Sequence, residues 1–95
     1  MRVISRRPLV EFAEKHPQAR TGLDAWYHVT RHAKWKSLVD VRQVYPHADL
    51  VRELTVFNIA GNKYRLITHI RYRRQIVYIR AVLTHAEYDK GGWKR

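Results

Sequence analysis

Six basic side chains, Lys63, Arg65, Arg71, Arg73, Arg74 and Arg80, fall between Leu54 and Ala86 with no Asp or Glu among them. Cations without nearby counter-charges are suited to phosphate, and the planar fork of an arginine can grip two phosphate oxygens at once. Lys63 and Arg65 stand two residues apart in an alternating segment. Side chains of a strand repeat every two residues, so both are expected on one face, with Arg80 of the next segment joining them around a single phosphate. Tyr78 adds a ring on which an unpaired base can stack, the combination that single-stranded RNA requires. Arg71 and Arg73 (with Arg74) read as peripheral contacts near a turn. Further on, His85 and Tyr88 are three residues apart, the spacing that puts two side chains on one side of a helical turn. An imidazole exchanges protons readily near neutral pH, and a phenol beside it can orient a hydroxyl or share the proton work. The plainer alternatives are a solvated basic surface, Arg65 and Arg80 paired to helix carboxylates, Lys63 as a turn-flanking lysine, and Tyr88 as a packing residue.

The elements that must position these groups follow from periodicity. Arg2-Val3-Ile4-Ser5 reads as a short strand. Leu9, Phe12, Ala13 and His16 form a one-sided helical stripe that begins near Pro8 and stops before Pro17. A longer helix is expected from about Gln18 to Ala33, weakened slightly by Gly22. A short one follows, capped by Ser37 with Asp40 at its third position and ended by Pro46. After a polar stretch from Pro46 to about Glu53, the period changes. Thr55–Ile59 reads as a strand, Ala60-Gly61-Asn62 as a tight turn, and Lys63–Tyr72 as a long alternating strand, giving a hairpin. In that strand Tyr64, Leu66, Thr68, Ile70 and Tyr72 face one side, and Lys63, Arg65, Ile67, His69 and Arg71 the other. Ile76–Leu83 completes a meander, and Thr84–Lys90 forms a helical turn before Gly91-Gly92. The expected architecture is one α+β domain over residues 1–95. Two to three helices pack on one face of a small, mainly antiparallel sheet of about four strands, one N-terminal and three C-terminal. Part of the other face remains a basic cleft.

Composition limits the chemistry. A 95-residue chain with a net charge of +11 and 45% hydrophobic residues carries its charge on a folded surface rather than in a disordered tail. No cysteine is present, which removes disulfides, thiol nucleophiles and Cys-ligated metal, and agrees with a cytoplasmic setting. No apolar run approaches a membrane span or a signal peptide. His28 and His32 have the i,i+4 spacing of zinc ligands, but Val29 stands where the His-Glu-x-x-His motif needs its glutamate. Neither metal nor cofactor is expected. Trp26, Tyr27 and Trp35 read as core or helix–sheet contacts. His69 reads as a satisfied or solvent-facing histidine.

The segments Val56–Ile67, Val77–Val82 and Thr84–Asp89 resemble the HigB toxins of the RelE-like superfamily, with Gly-Asn-Lys-Tyr-Arg-Leu and Thr-His-Ala-Glu-Tyr-Asp as the most specific strings. Met1–Ser5, Phe12–Pro17, Ala25-Trp26-Tyr27 and Trp35-Lys36-Ser37 extend the resemblance over nearly the whole chain. It implies a RelE-like fold and the toxin half of a type II toxin–antitoxin pair, an endoribonuclease that cleaves mRNA, commonly on the ribosome. It implies also a HigA-like helix-turn-helix antitoxin through which operator DNA is bound. Arg65 then matches the strand arginine that contacts the scissile phosphate, Lys63 is a second cation and Arg80 a third. His85 and Tyr88 stand where such toxins often carry a C-terminal histidine or tyrosine. The implied reaction is metal-independent: the ribose 2′-OH attacks the adjacent phosphate, while the enzyme stabilises charge and moves protons. A protein that binds RNA or the ribosome without cutting, or a degenerate toxin kept as an antitoxin partner, would use the same surface.

Overall fold

The computed structural model describes residues 1–94. Five strands form one mixed sheet in the order β1-β5-β4-β3-β2: β1 Arg2–Ile4, β2 Asp49–Val51, β3 Leu54–Ile59, β4 Tyr64–Arg71 and β5 Ile76–Thr84. β1 runs parallel to β5, with Val3 opposite Val77, and every other pairing is antiparallel. Among the described residues the α-helices are α1 Arg7–Lys15, α2 Arg20–His32, α3 Leu38–Val44 and α4 His85–Lys90. A 3-10 turn at Pro17–Ala19 separates the first two, because the proline cannot continue α1.

Two apolar clusters divide the sheet faces. The larger joins Leu9 and Ala13 of α1, Leu23 and Trp26 of α2 and Val41 of α3 to Phe57, Tyr64, Leu66, Ile70 and Val77. The smaller lies on the opposite face: Leu54, Val56 and Ile67, with Ala81, Leu83, Tyr88 and Trp93 packed against them. The alternation expected in β4 therefore holds, but its second face is not simply a solvated cleft. The α4 segment covers one end of it.

Four features depart from the sequence reading. The sheet has five strands rather than about four, because Asp49–Val51 pairs with β3 inside the stretch read as a polar connection. Three residues at a sheet edge, two of them exposed, carry too few positions for a period to show. Helices lie on both faces rather than one. Lys63 belongs to the turn and not to β4, which begins at Tyr64; its backbone N–H reaches Ala60 O at 3.4 Å. Finally, Ile67 pairs with Ala81 but Thr68 with Ile79, so Arg80 is an extra, unpaired residue in β5. Such a bulge re-aims the residues before it, so that Tyr78 rather than Ile79 pairs with His69 on the Arg65 face and Arg80 stands outside the ladder.

The hairpin turn after β3 is built on left-handed backbone, with Ala60 at φ 54° and Gly61 at φ 68°. Behind it, α2 passes so close to β3 that a Cβ on Gly22 would lie 2.9 Å from Ile59 Cγ2 and 3.2 Å from Ala60 N. Gly22 is thus a packing requirement and not only a weak point in the helix. No helix among the described residues is long and apolar enough to cross a membrane.

Candidate RNA-cleavage site

Among the described residues Arg65 is the one charged residue that is buried, at 8% exposure. Burying a guanidinium requires hydrogen-bond partners. Its Nη1 donates to the carbonyls of Asn62 and Tyr64, both at 3.1 Å, and its Nη2 donates to Asn62 Oδ1 at 2.8 Å. None of these partners is charged. Among the described residues the acidic side chains in ion pairs are Glu11, Asp24, Asp49 and Asp89, and none of them pairs with Arg65. The site thus presents a fixed, uncompensated positive charge, the arrangement that favours an anion.

The Arg65 guanidinium carbon lies 5.3 Å from the centre of the Tyr88 ring. Tyr88 comes from α4, which the sequence terminates firmly at both ends. Thr84 Oγ1 accepts from Glu87 N at 3.2 Å, and Glu87 Oε1 accepts from Thr84 N at 2.9 Å, a reciprocal capping box. Gly91 closes the helix in left-handed conformation at φ 75°. On its outer side the Tyr88 ring stacks on Trp93 at 4.8 Å, and Trp93 Nε1 donates to Tyr88 O at 2.8 Å. Burial, with Asp49 second, raises the Tyr88 phenol above the ordinary tyrosine range against the opposing pull of Arg65. Its hydroxyl is therefore a neutral donor and acceptor at physiological pH.

His85 opens α4, and its backbone N–H donates to Lys63 O at 3.1 Å, tying the helix to the β3–β4 turn. Its Nδ1 lies 2.9 Å from Asp89 Oδ2, with both side chains about half exposed. A carboxylate on Nδ1 fixes the ring's orientation and leaves Nε2 available to a substrate.

The structure thus brings Arg65 against Tyr88, on the same short helix as the His85–Asp89 pair, and places the other expected residues elsewhere. Lys63 Nζ turns to Gln18 Oε1 at 3.4 Å, toward the helical layer instead of along Arg65's face. Arg80 lines a shallow groove with Ile4, Ser5, His69, Arg71 and Tyr78. Its separation from Leu83, the partner of Arg65, is three residues, roughly 10 Å along the strand. His69 and Tyr78 face each other across β4 and β5 with ring centres 6.4 Å apart. Arg73 and Arg74 sit at the β4–β5 turn, at the far end of the molecule's basic face. A single cluster of three cations is therefore replaced by a compact site and a separate basic, aromatic groove.

Sequence reasoning missed Asn62, Asp89 and Trp93. Asp89 had a readable signal, the i,i+4 spacing from His85 within a helical tail. Asn62 and Trp93 had none, because their contacts depend on the turn geometry and on the chain folding back after Gly91. Among the described residues no three His, Cys, Asp or Glu side chains cluster as metal ligands would. The His28 and His32 rings lie 4.8 Å apart on an exposed helical face, and His32 Nδ1 is occupied by His28 O at 2.9 Å.

A family model of RelE-like toxic components of toxin–antitoxin systems, the HigB toxins, matches residues 19–91, which span everything from α2 to the cap of α4. The chain belongs to the HigB toxin family. Among its relatives is the mRNA interferase toxin HigB of Escherichia coli K12, 35% identical over 92 residues, covering 94% of this chain and 88% of the relative. The mRNA interferase HigB of Shigella flexneri matches with the same identity and coverage. A more divergent HigB, from E. coli O6:H1 strain CFT073, is 28% identical over 93 residues, 95% of this chain and 90% of its own. As a HigB toxin the protein has an antitoxin for its partner. The residues that define the site, Asn62, Arg65, His85, Tyr88 and Asp89, all lie inside the matched segment.

Proposed function

We propose that this protein is an mRNA interferase: an endoribonuclease that cuts mRNA on the translating ribosome in the cytoplasm, and is silenced by a HigA-like helix-turn-helix antitoxin. The observation that carries the reading is the buried, carboxylate-free Arg65 guanidinium held against Tyr88 of α4, the helix that also carries the His85–Asp89 pair. Its relatives are named mRNA interferases, which supports the same reaction here.

In this reading Arg65 binds the scissile phosphate and stabilises the charge that accumulates on it in the transition state. The ribose 2′-OH attacks phosphorus, the bond from phosphorus to O5′ breaks, and the products are a 2′,3′-cyclic phosphate and a 5′-hydroxyl. One proton must leave the 2′-OH and one must reach O5′. His85 Nε2 serves one of these transfers, and the neutral Tyr88 hydroxyl orients the 2′-OH or relays the other. Lys63 becomes a second cation when it exchanges its weak contact to Gln18 for phosphate. The groove of Arg71, Tyr78 and Arg80, extended by Arg73, tracks the RNA strand through backbone charge and ring stacking.

The test is to induce the protein without its antitoxin and map RNA 5′ ends. Growth arrest with new 5′-hydroxyl ends in translated mRNA is expected, and co-expression of the antitoxin restores growth. Growth arrest without new 5′-hydroxyl ends would replace cleavage with RNA or ribosome binding. Absence of any arrest identifies an inactive toxin kept as an antitoxin partner.

A further inference from the structure

Beside the Arg65 site lies a cavity of about 600 Å3 that phosphate binding and proton transfer do not use. It opens between the α3–β2 connection, which supplies Tyr45, Pro46 and His47, and the β3–β4 hairpin, which supplies Asn58, Gly61 and Asn62. Two observations tie it to the reacting phosphate. Asn62 both lines the cavity and holds the Arg65 guanidinium through Oδ1 at 2.8 Å. Asn58 is the direct cross-strand partner of Arg65 in the β3–β4 ladder, so the two side chains leave the same face at the same level.

The walls have the chemistry of a base-binding slot. Tyr45 is held edge-on against the core ring of Phe57, centres 5.4 Å apart, and Pro46 and His47 continue a flat, exposed rim. The connection itself is pinned, because Arg42 Nε donates to Ala48 O at 2.9 Å. Opposite stand two amides. Asn62 has its oxygen committed to Arg65, which leaves its NH2 to donate. Asn58 makes no side-chain hydrogen bond among the described residues, and an amide offers a donor and an acceptor side by side, the pattern that reads a base edge. Stacking surfaces holding a base against unspent amide groups, one residue from a phosphate grip, are what discrimination between nucleotides requires.

We propose that this cavity seats the nucleobase of a nucleotide flanking the scissile phosphate, with Asn58 reading its edge and His47 stacking on it, so that these two residues set the sequence preference of cleavage. The inference rests on the cleavage reading above. The experiment therefore reads a ratio between sites and not total activity. Wild-type protein, Asn58→Ala and His47→Ala are each induced in cells, and 5′-hydroxyl ends are sequenced across all mRNAs. Wild type should show one base enriched at a position next to the cut. In Asn58→Ala that enrichment should fall about tenfold or more, the scale of a lost bidentate base contact. His47→Ala lies in an exposed loop and gives the same readout should Asn58→Ala fail to fold, which thermal melting reports. Ends that show no bias next to the cut in wild type, or a bias unchanged in both folded variants, overturn the pocket. Absence of any 5′-hydroxyl ends in wild type overturns the cleavage reading instead.

Discussion

The guanidinium of Arg65 sits 5.3 Å from the centre of the Tyr88 ring, so the strand that supplies the positive charge and the helix that carries His85 and Tyr88 meet in one contact. Tyr88 is in turn backed by Trp93 at 4.8 Å. A cation between a ring and three carbonyl oxygens is oriented before any substrate arrives, so little reorganisation is left for the reaction itself.

Arg65→Ala is expected to lower cleavage by about a hundredfold or more, the usual scale for removing a preorganised charge-stabilising group. Arg65→Lys should recover little of this, since an ammonium lacks the fork that engages Asn62 and phosphate together. Single-turnover cleavage of a translated mRNA measures both, and a fully active Arg65→Lys enzyme would remove the fork from the mechanism.

His85→Ala should reduce cleavage by about a hundredfold or more, in the range of lost general acid–base catalysis. Asp89→Asn should cost less, about tenfold, because the amide can still meet His85 Nδ1 but cannot stabilise an imidazolium. Added imidazole separates the two roles: it should restore part of the activity of His85→Ala and none of that of Asp89→Asn. Equal losses with no rescue of either variant would reduce His85 and Asp89 to a structural pair.

Two pH limits on stability follow from Glu87 and from three partly buried tyrosines. Hydrogen bonding from the Thr84 backbone holds the Glu87 carboxyl below the usual carboxylate range. Its contribution is present above the unfolded-state value and is lost as pH falls through the lowered folded one, so the helix loosens on the acid side. Burial instead raises the Tyr88, Tyr45 and Tyr72 phenols. Their contribution is complete below the ordinary tyrosine value near 10 and is lost as pH rises through the raised values. Melting temperature measured across both ranges should fall at each end. In Tyr88→Phe the alkaline fall should be smaller, and an unchanged alkaline limb would contradict the assignment.

Gly22→Ala sets helix propensity against packing. Alanine favours the helix by about 1 kcal/mol over glycine, but overpacking against a β-strand costs about 1–3 kcal/mol. The backbone of Ala60 at 3.2 Å cannot swing aside as a side-chain tip would, so packing should win. A net loss of about 1 kcal/mol predicts a melting temperature lower by about 4–8 °C for a domain of this size. A rise in melting temperature would show that α2 can move away from the hairpin.

Much of the molecule was legible from the chain. The helical stripes of α1 and α2, the switch to period 2 after Glu53, the Ala60-Gly61-Asn62 turn and the helical turn after Thr84 each rest on local rules. Each involves residues fewer than about eight positions apart, where covalent geometry dictates which side chains share a face. Arg65, His85 and Tyr88 could be singled out on the same basis, together with the family strings around them. β2 was hidden because three edge residues cannot express a period.

The sequence alone determined that the β half carries the unbalanced arginines and that a capped C-terminal turn carries a histidine and a tyrosine. Only the tertiary structure decided which of them meet. The bulge in β5 left Arg80 outside the ladder, three residues along from the partner of Arg65, and the left-handed backbone at Ala60 and Gly61 placed Lys63 in a turn facing Gln18. The same turn delivered Asn62 to Arg65, and the fold-back after Gly91 set Trp93 behind Tyr88. A bulge or a positive φ changes the direction of every side chain beyond it. Its position depends on how neighbouring strands and helices pack, and a two-residue period read along one chain carries no record of that.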